Sequence, residues 1–60
     1  MKNKWMNHLV SFRYGMVTLY GEVVYVNTDD EGNSVYIIQG GNVLYKNVEE
    51  KDILHDFGIA

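Results

Sequence analysis

The sequence predicts an all-β domain: a very small barrel of about five short antiparallel strands, with one short helical turn towards the C-terminal end. Residues 14–54 read almost without pause as short runs rich in Val, Ile, Leu and Tyr, residue types that suit a pleated, half-buried surface. These runs are Gly15-Met-Val-Thr-Leu-Tyr-Gly21-Glu-Val-Val-Tyr-Val26, Ser34-Val-Tyr-Ile-Ile-Gln39 and Asn42-Val-Leu-Tyr-Lys46. Their separators, Asp29-Asp30-Glu31-Gly32-Asn33 and Gly40-Gly41-Asn42, are turn residues that supply positive φ or hydrogen-bond their own backbone. Sixty residues make one domain, 1–60, and a chain of that size buries only about 60% of the surface its unfolded form exposes.

Taken in order, residues 1–7 predict a loose start, with Trp5 covering an open end of the barrel. The barrel itself is expected over residues 9–55. A first strand over 9–14 puts Val10 and Phe12 on one face and Leu9, Ser11 and Arg13 on the other, since side chains alternate along a strand. Residues 16–27 are too long for a straight strand of average length. Gly21 is the expected bend, because glycine inside a strand pattern marks a bulge or a close backbone approach.

Residues 34–39 hold four consecutive apolar residues, the pattern of a strand buried on both faces. Residues 43–47 pair back after the glycine turn. The tail, Asn47-Val48-Glu49-Glu50, places an Asn three residues before a Glu, a variant of the helix capping box. A one- or two-turn helix over 48–55 should then deliver Ile53 and Leu54 to the barrel, with His55 in its last turn and Gly58 beyond its end. The expected core is Val17, Leu19, Val24, Val26, Val35, Ile37, Val43, Ile53 and Leu54.

This layout resembles the SH3-like small barrels, including KOW-type, Tudor-type and stand-alone phage or bacterial versions. The resemblance covers residues 9–55. It is carried by Gly21-Glu22-Val23-Val24, Val35-Tyr36-Ile37-Ile38, Val43-Leu44-Tyr45, and Val48 with Glu50-Lys51-Asp52-Ile53-Leu54. It implies the barrel fold. One such superfold hosts many unrelated functions, so no activity or site residue is transferred with it.

Composition narrows the chemistry. The chain has no Cys, which excludes disulfides and thiolate metal sites. Its two His residues, His8 and His55, stand in no ligand spacing. Asp29-Asp30-Glu31 lacks the alternating oxygen ligands and distal Glu of a calcium loop. Ser11 and Ser34 have no visible base partner, and a domain this small leaves little room for a cleft that separates two carboxyl pKa values. The expectation is a non-enzymatic protein with no cofactor and no bound metal. No apolar run approaches the roughly 20 residues of a membrane span, and Leu9-Val10 is too short for a signal-peptide core. The chain therefore reads as a soluble, unprocessed, cytoplasmic protein without a membrane partner.

Charge is divided unevenly. Residues 1–20 hold Lys2, Lys4 and Arg13 and no acid, whereas 21–60 hold Lys46 and Lys51 against all eight acids. Such asymmetry can mark a binding face, but acids that solvate turns are the favoured account of it. Five Tyr residues are too many for so small a core, and Tyr is favoured at interfaces for its stiff area and polar tip. Tyr is also a good strand former.

The leading expectation is a protein-interaction module with a protein partner, using Trp5, Tyr14, Tyr20, Tyr36 and Tyr45 with the acidic turn Asp29, Asp30 and Glu31. The Asn-, Lys- and Tyr-rich composition is compatible with an AT-rich genome and an accessory or regulatory protein of a phage or mobile element. One alternative is nucleic-acid binding, suggested by Lys4-Trp5, Phe12-Arg13-Tyr14 and Tyr45-Lys46, the basic–aromatic interleaving of single-strand binders. Five cations are few for that task. A second alternative is an acidic mimic that occupies a partner's nucleic-acid site through residues 29–31 and 49–56.

Overall fold

The computed structural model describes residues 5–60. Five strands succeed one another: β1 (His8–Tyr14), β2 (Val17–Thr28), β3 (Ser34–Gly40), β4 (Val43–Glu49) and β5 (Ile53–Ile59). One 3₁₀ turn, Glu50–Asp52, joins β4 to β5. All ladders are antiparallel, in the spatial order β4-β3-β2-β1-β5. The all-β class, the strand number and the single helical turn are as the sequence predicts. The sheet does not close into a barrel, because β4 and β5 are its two edges.

The tail differs from the capping-box expectation. Asn47 is no cap. It lies within β4 at φ 61°, and the residue before the 3₁₀ turn, Glu49, makes no side-chain capping bond. The helical part is three residues long. Beyond it the chain forms a full edge strand, because residues 53–59 pair with β1 rather than winding further. Gly58, expected beyond a helix end, sits inside that strand.

The strand β2 holds the sheet together. Its first half, from Val17 to Glu22, pairs with β1, and its second half, from Glu22 to Thr28, pairs with β3. The change of partner falls next to Gly21, where a β-carbon would lie 2.6 Å from the Gln39 carbonyl oxygen and 2.7 Å from Ile38 Cγ2. Only glycine allows that approach. The register irregularity itself falls at Val24, three residues later.

The fully enclosed core is Val10, Phe12, Val23, Tyr36, Ile38 and Val48. Trp5, Met6, Leu19, Val26, Tyr45 and Ile53 pack partly buried against it. This corrects much of the expected core. Val17, Val43 and Leu54 are exposed, and Val24, Val35 and Ile37 are only half-buried. The bulge at Val24 is the physical reason on β2: with one extra residue there, Val23 and Val26 share the inner face despite their opposite parity. A second shift opposite Ile37 lets Tyr45 and Val48 both face inward from β4. A third places Ile53 opposite Phe12 but His55 opposite Ser11, so Leu54 is squeezed out of the ladder.

Candidate interaction surface

The outer face of the sheet can be built row by row from the ladders. One row crosses four strands as Leu44, Gln39, Glu22 and Leu9. The next sets Tyr20 and His55 on either side of Ser11. Phe57 completes the group. Its ring lies 6.1 Å from that of Tyr20 and stacks at 19° on His55 at 6.0 Å. Tyr20 is 64% exposed and Phe57 55%, so this cluster of rings is largely presented to solvent. A shallow depression of about 420 Å³ opens beside it, with Leu9, Tyr20, Glu22 and Gln39 around Gly40 and Gly41. Gly40 belongs to the same pinch as Gly21, since its β-carbon would lie 2.9 Å from the Tyr20 carbonyl oxygen.

A second aromatic group lies at the hairpin end of the inner face. Tyr14 and Tyr45 meet edge to face at 4.9 Å, and Tyr45 lies 5.5 Å from Phe12. Tyr14 is exposed and Tyr45 half-buried, with Val17, Val43 and the fully exposed Met16 around them.

Of the residues expected to form an interaction surface, Tyr36 is corrected outright. It is 4% exposed and faces inward opposite Val26 and Val48. Burial, with the Glu50 carboxylate nearby, holds its phenol above the ordinary tyrosine range, against a smaller opposing effect from a hydrogen bond with Ser34. Trp5 covers Tyr36, edge to face at 5.4 Å, and so acts as a lid on the core rather than as a free contact. Tyr14 and Tyr20 are exposed, as an interaction role requires. Tyr25 is exposed too.

The acidic turn is ordered by one of its own side chains. Asp29 Oδ1 accepts from the backbone N–H of Glu31 (2.9 Å) and of Asn33 (2.8 Å), and Gly32 N–H donates to the Asp29 carbonyl at 3.1 Å. Asp29 is thereby committed to the loop, whereas Asp30 and Glu31 are exposed. The fold carries this turn to the end of β4. Asp29, Glu31, Glu49 and Glu50 line one crevice of about 410 Å³ with Ser34 and Lys51. Lys51 reaches Glu49 at 3.5 Å, a solvated pair of small energetic weight. Among the described residues, no group of three or more His, Asp or Glu converges as a metal site needs.

The partners of the basic–aromatic pairs are scattered. Phe12 is in the core while Arg13 and Tyr14 are exposed; Lys4 lies outside the described residues. Sequence reasoning misses Phe57, Leu9 and Leu44. It predicts a helical end where β5 runs, and Leu9 and Leu44 are single apolar residues whose facing is set only by register. Among the described residues, no helix is long and apolar enough to cross a membrane. No family model, curated protein or solved structure matches this chain.

Proposed function

We propose that this chain is a small non-enzymatic protein-interaction module, laid out as an SH3-like barrel left open along one seam, that docks a protein partner on the outer face of its sheet. The strand order and the 3₁₀ turn before the last strand support the layout. The observation that carries the function is the imbalance of apolar side chains. Among the described residues, eleven large hydrophobic residues are exposed against six that are buried. Scattered exposed apolar residues are ordinary on a protein surface. A contiguous set is not, and marks an interaction site. Leu9, Tyr20 and Phe57 form such a set on one face, with stiff aromatic anchors of the kind that dominate interfaces, and Leu44 stands on the same face beyond Gln39 and Glu22.

The test is affinity capture with the wild type and a Tyr20→Ser/Phe57→Ser variant, each with and without nuclease treatment. The module reading expects a protein retained by the wild type, lost with the variant and indifferent to nuclease. Retention only without nuclease would favour nucleic-acid binding instead.

The acidic crevice supports a second reading, the mimic of a nucleic-acid backbone. Asp29, Glu31, Glu49 and Glu50 come from two separate stretches of chain and meet at one place. On this reading the captured protein binds DNA or RNA, and this chain competes with the nucleic acid. Competition that survives replacement of Glu31, Glu49 and Glu50 by Gln would remove it.

A further inference from the structure

We propose that the outer face takes a basic segment of the partner, with an Arg or Lys side chain lying between Leu9 and Tyr20 against the Glu22 carboxylate. The inference rests on the protein-interaction reading and names the chemistry of the partner at that same site.

Glu22 is the feature that demands a partner. It stands on β2, inside the sheet, at the point where the strand pairs with β1 and β3 at once. Its cross-strand neighbours are Leu9 and Gln39, so neither ladder gives it a cation. It is half-buried and lines the depression together with Leu9, Tyr20 and Gln39. A partner's cation therefore meets this carboxylate without first displacing an internal one. The exposed Leu9 side chain at the edge of the depression gives the aliphatic stem of a long basic residue an apolar surface to cover while its head stays polar. The exposed Tyr20 ring beside it suits a guanidinium or ammonium group. The Gln39 side-chain oxygen adds an acceptor, and Phe57 and Leu44 give apolar neighbours of the basic residue a surface to cover.

Net charge points the same way. The chain holds eight acids against five Lys and Arg, a net charge of −3, so it attracts basic partners and steers their approach. Two copies of this face apposed about a two-fold axis would bring two Glu22 carboxylates to one interface. A phosphate backbone would meet Glu22 as a like charge, with Arg13 the cation that β1 presents two rows away.

The experiment is selection from a randomised peptide library against immobilised wild-type protein, Glu22→Gln and Tyr20→Ala, each checked for its native circular dichroism spectrum. Wild type should enrich peptides with Arg or Lys beside an apolar residue. A synthetic peptide of the enriched sequence should bind Glu22→Gln on the order of tenfold more weakly, and a Glu22→Lys variant should recover affinity when the peptide's basic residue is changed to Glu. Enriched peptides without a basic residue, or binding lost in Tyr20→Ala yet unchanged in Glu22→Gln, would overturn the inference and leave the module reading standing. Absence of any enriched peptide would remove both. Single-stranded DNA or RNA that binds Glu22→Gln more tightly than wild type would overturn it in favour of nucleic acid. Self-association abolished by Tyr20→Ala would overturn it in favour of a second copy.

Discussion

At Tyr36, burial and the nearby Glu50 carboxylate both disfavour the phenolate, so the hydroxyl titrates above the ordinary value of 10.0. The folded state then holds this proton more tightly than the unfolded chain does. Its contribution to stability is fully present below the unfolded pKa and is lost as pH rises through the higher folded value. Unfolding free energy measured by urea titration should therefore fall in the alkaline range above about pH 10, and Tyr36→Phe should flatten that fall. An alkaline slope identical in both proteins would show that other groups cause it. Gly21 makes the opposite kind of demand, for space rather than charge. A side chain there must displace the Gln39 carbonyl, which is backbone and lies 2.6 Å from the β-carbon position. Gly21→Val should cost about 1–3 kcal/mol, the range for overfilled sites, despite the good strand propensity of valine. A denaturation midpoint equal to or above wild type would refute the close approach.

Strands are where legibility divides. Strand existence and turn placement can be read from residue type: Gly15, Gly32 and Gly41 all take positive φ at chain reversals, and on β1 Val10 and Phe12 enter the core as their shared parity predicts, though Ser11 between them is buried too. Facing on β2 and β3 cannot be read that way, because residues 23–26 and 35–38 are apolar at both parities, and a one-residue slip turns every side chain to the other face. Two irregularities decide it, at Val24 and opposite Ile37, and neither has a glycine at the site to announce it; two more fall on β5, at Leu54 and at Phe57–Gly58. The last strand is illegible for another reason. Asn47 and Glu50 have the spacing of a helix start, but Asn47 serves β4 in the left-handed region instead. Asp56, further along, spends its carboxylate on His8 at 2.9 Å and on the Gly58 N–H at 2.8 Å, tying β5 to β1. The candidate site inherits these limits: Tyr20 is recoverable from sequence, whereas Phe57 requires β5. Facing on β3 is open to a paired test. Ile38→Ala should cost about 2–5 kcal/mol, as for a buried Ile, whereas Ile37→Ala on the outer side should stay within about 1 kcal/mol. Equal or reversed losses in chemical denaturation would mean that β3 faces the other way.

Over the whole molecule, an open sheet curls around six enclosed side chains, so the ends of its inner face matter to stability as much as the middle. One end is covered. Trp5 lies over Tyr36, Met6 packs with it on the core, and the segment is tied down by Asn7 N–H donating to the Val23 carbonyl at 2.9 Å. The C-terminal end joins the same knot, with Ala60 N–H donating to the Asn7 carbonyl at 3.0 Å. The opposite end, around Tyr14, Val17 and Val43, has exposed side chains. This asymmetry predicts that the covering segment folds with the sheet and not as a separate flap. Trp5 is the chain's one tryptophan, so its fluorescence reports on the lid alone, while far-UV circular dichroism reports on the strands. In a urea titration the two signals should trace one coincident transition, as two-state unfolding requires. Trp5→Ala should move the dichroism midpoint down, since it uncovers Tyr36 and removes an aromatic pair worth about 0.5–1.5 kcal/mol beyond its buried area. Fluorescence that changes at lower urea than the dichroism would show a lid that opens before the sheet unfolds. A Trp5→Ala midpoint equal to wild type would show that the covered end contributes nothing to the fold.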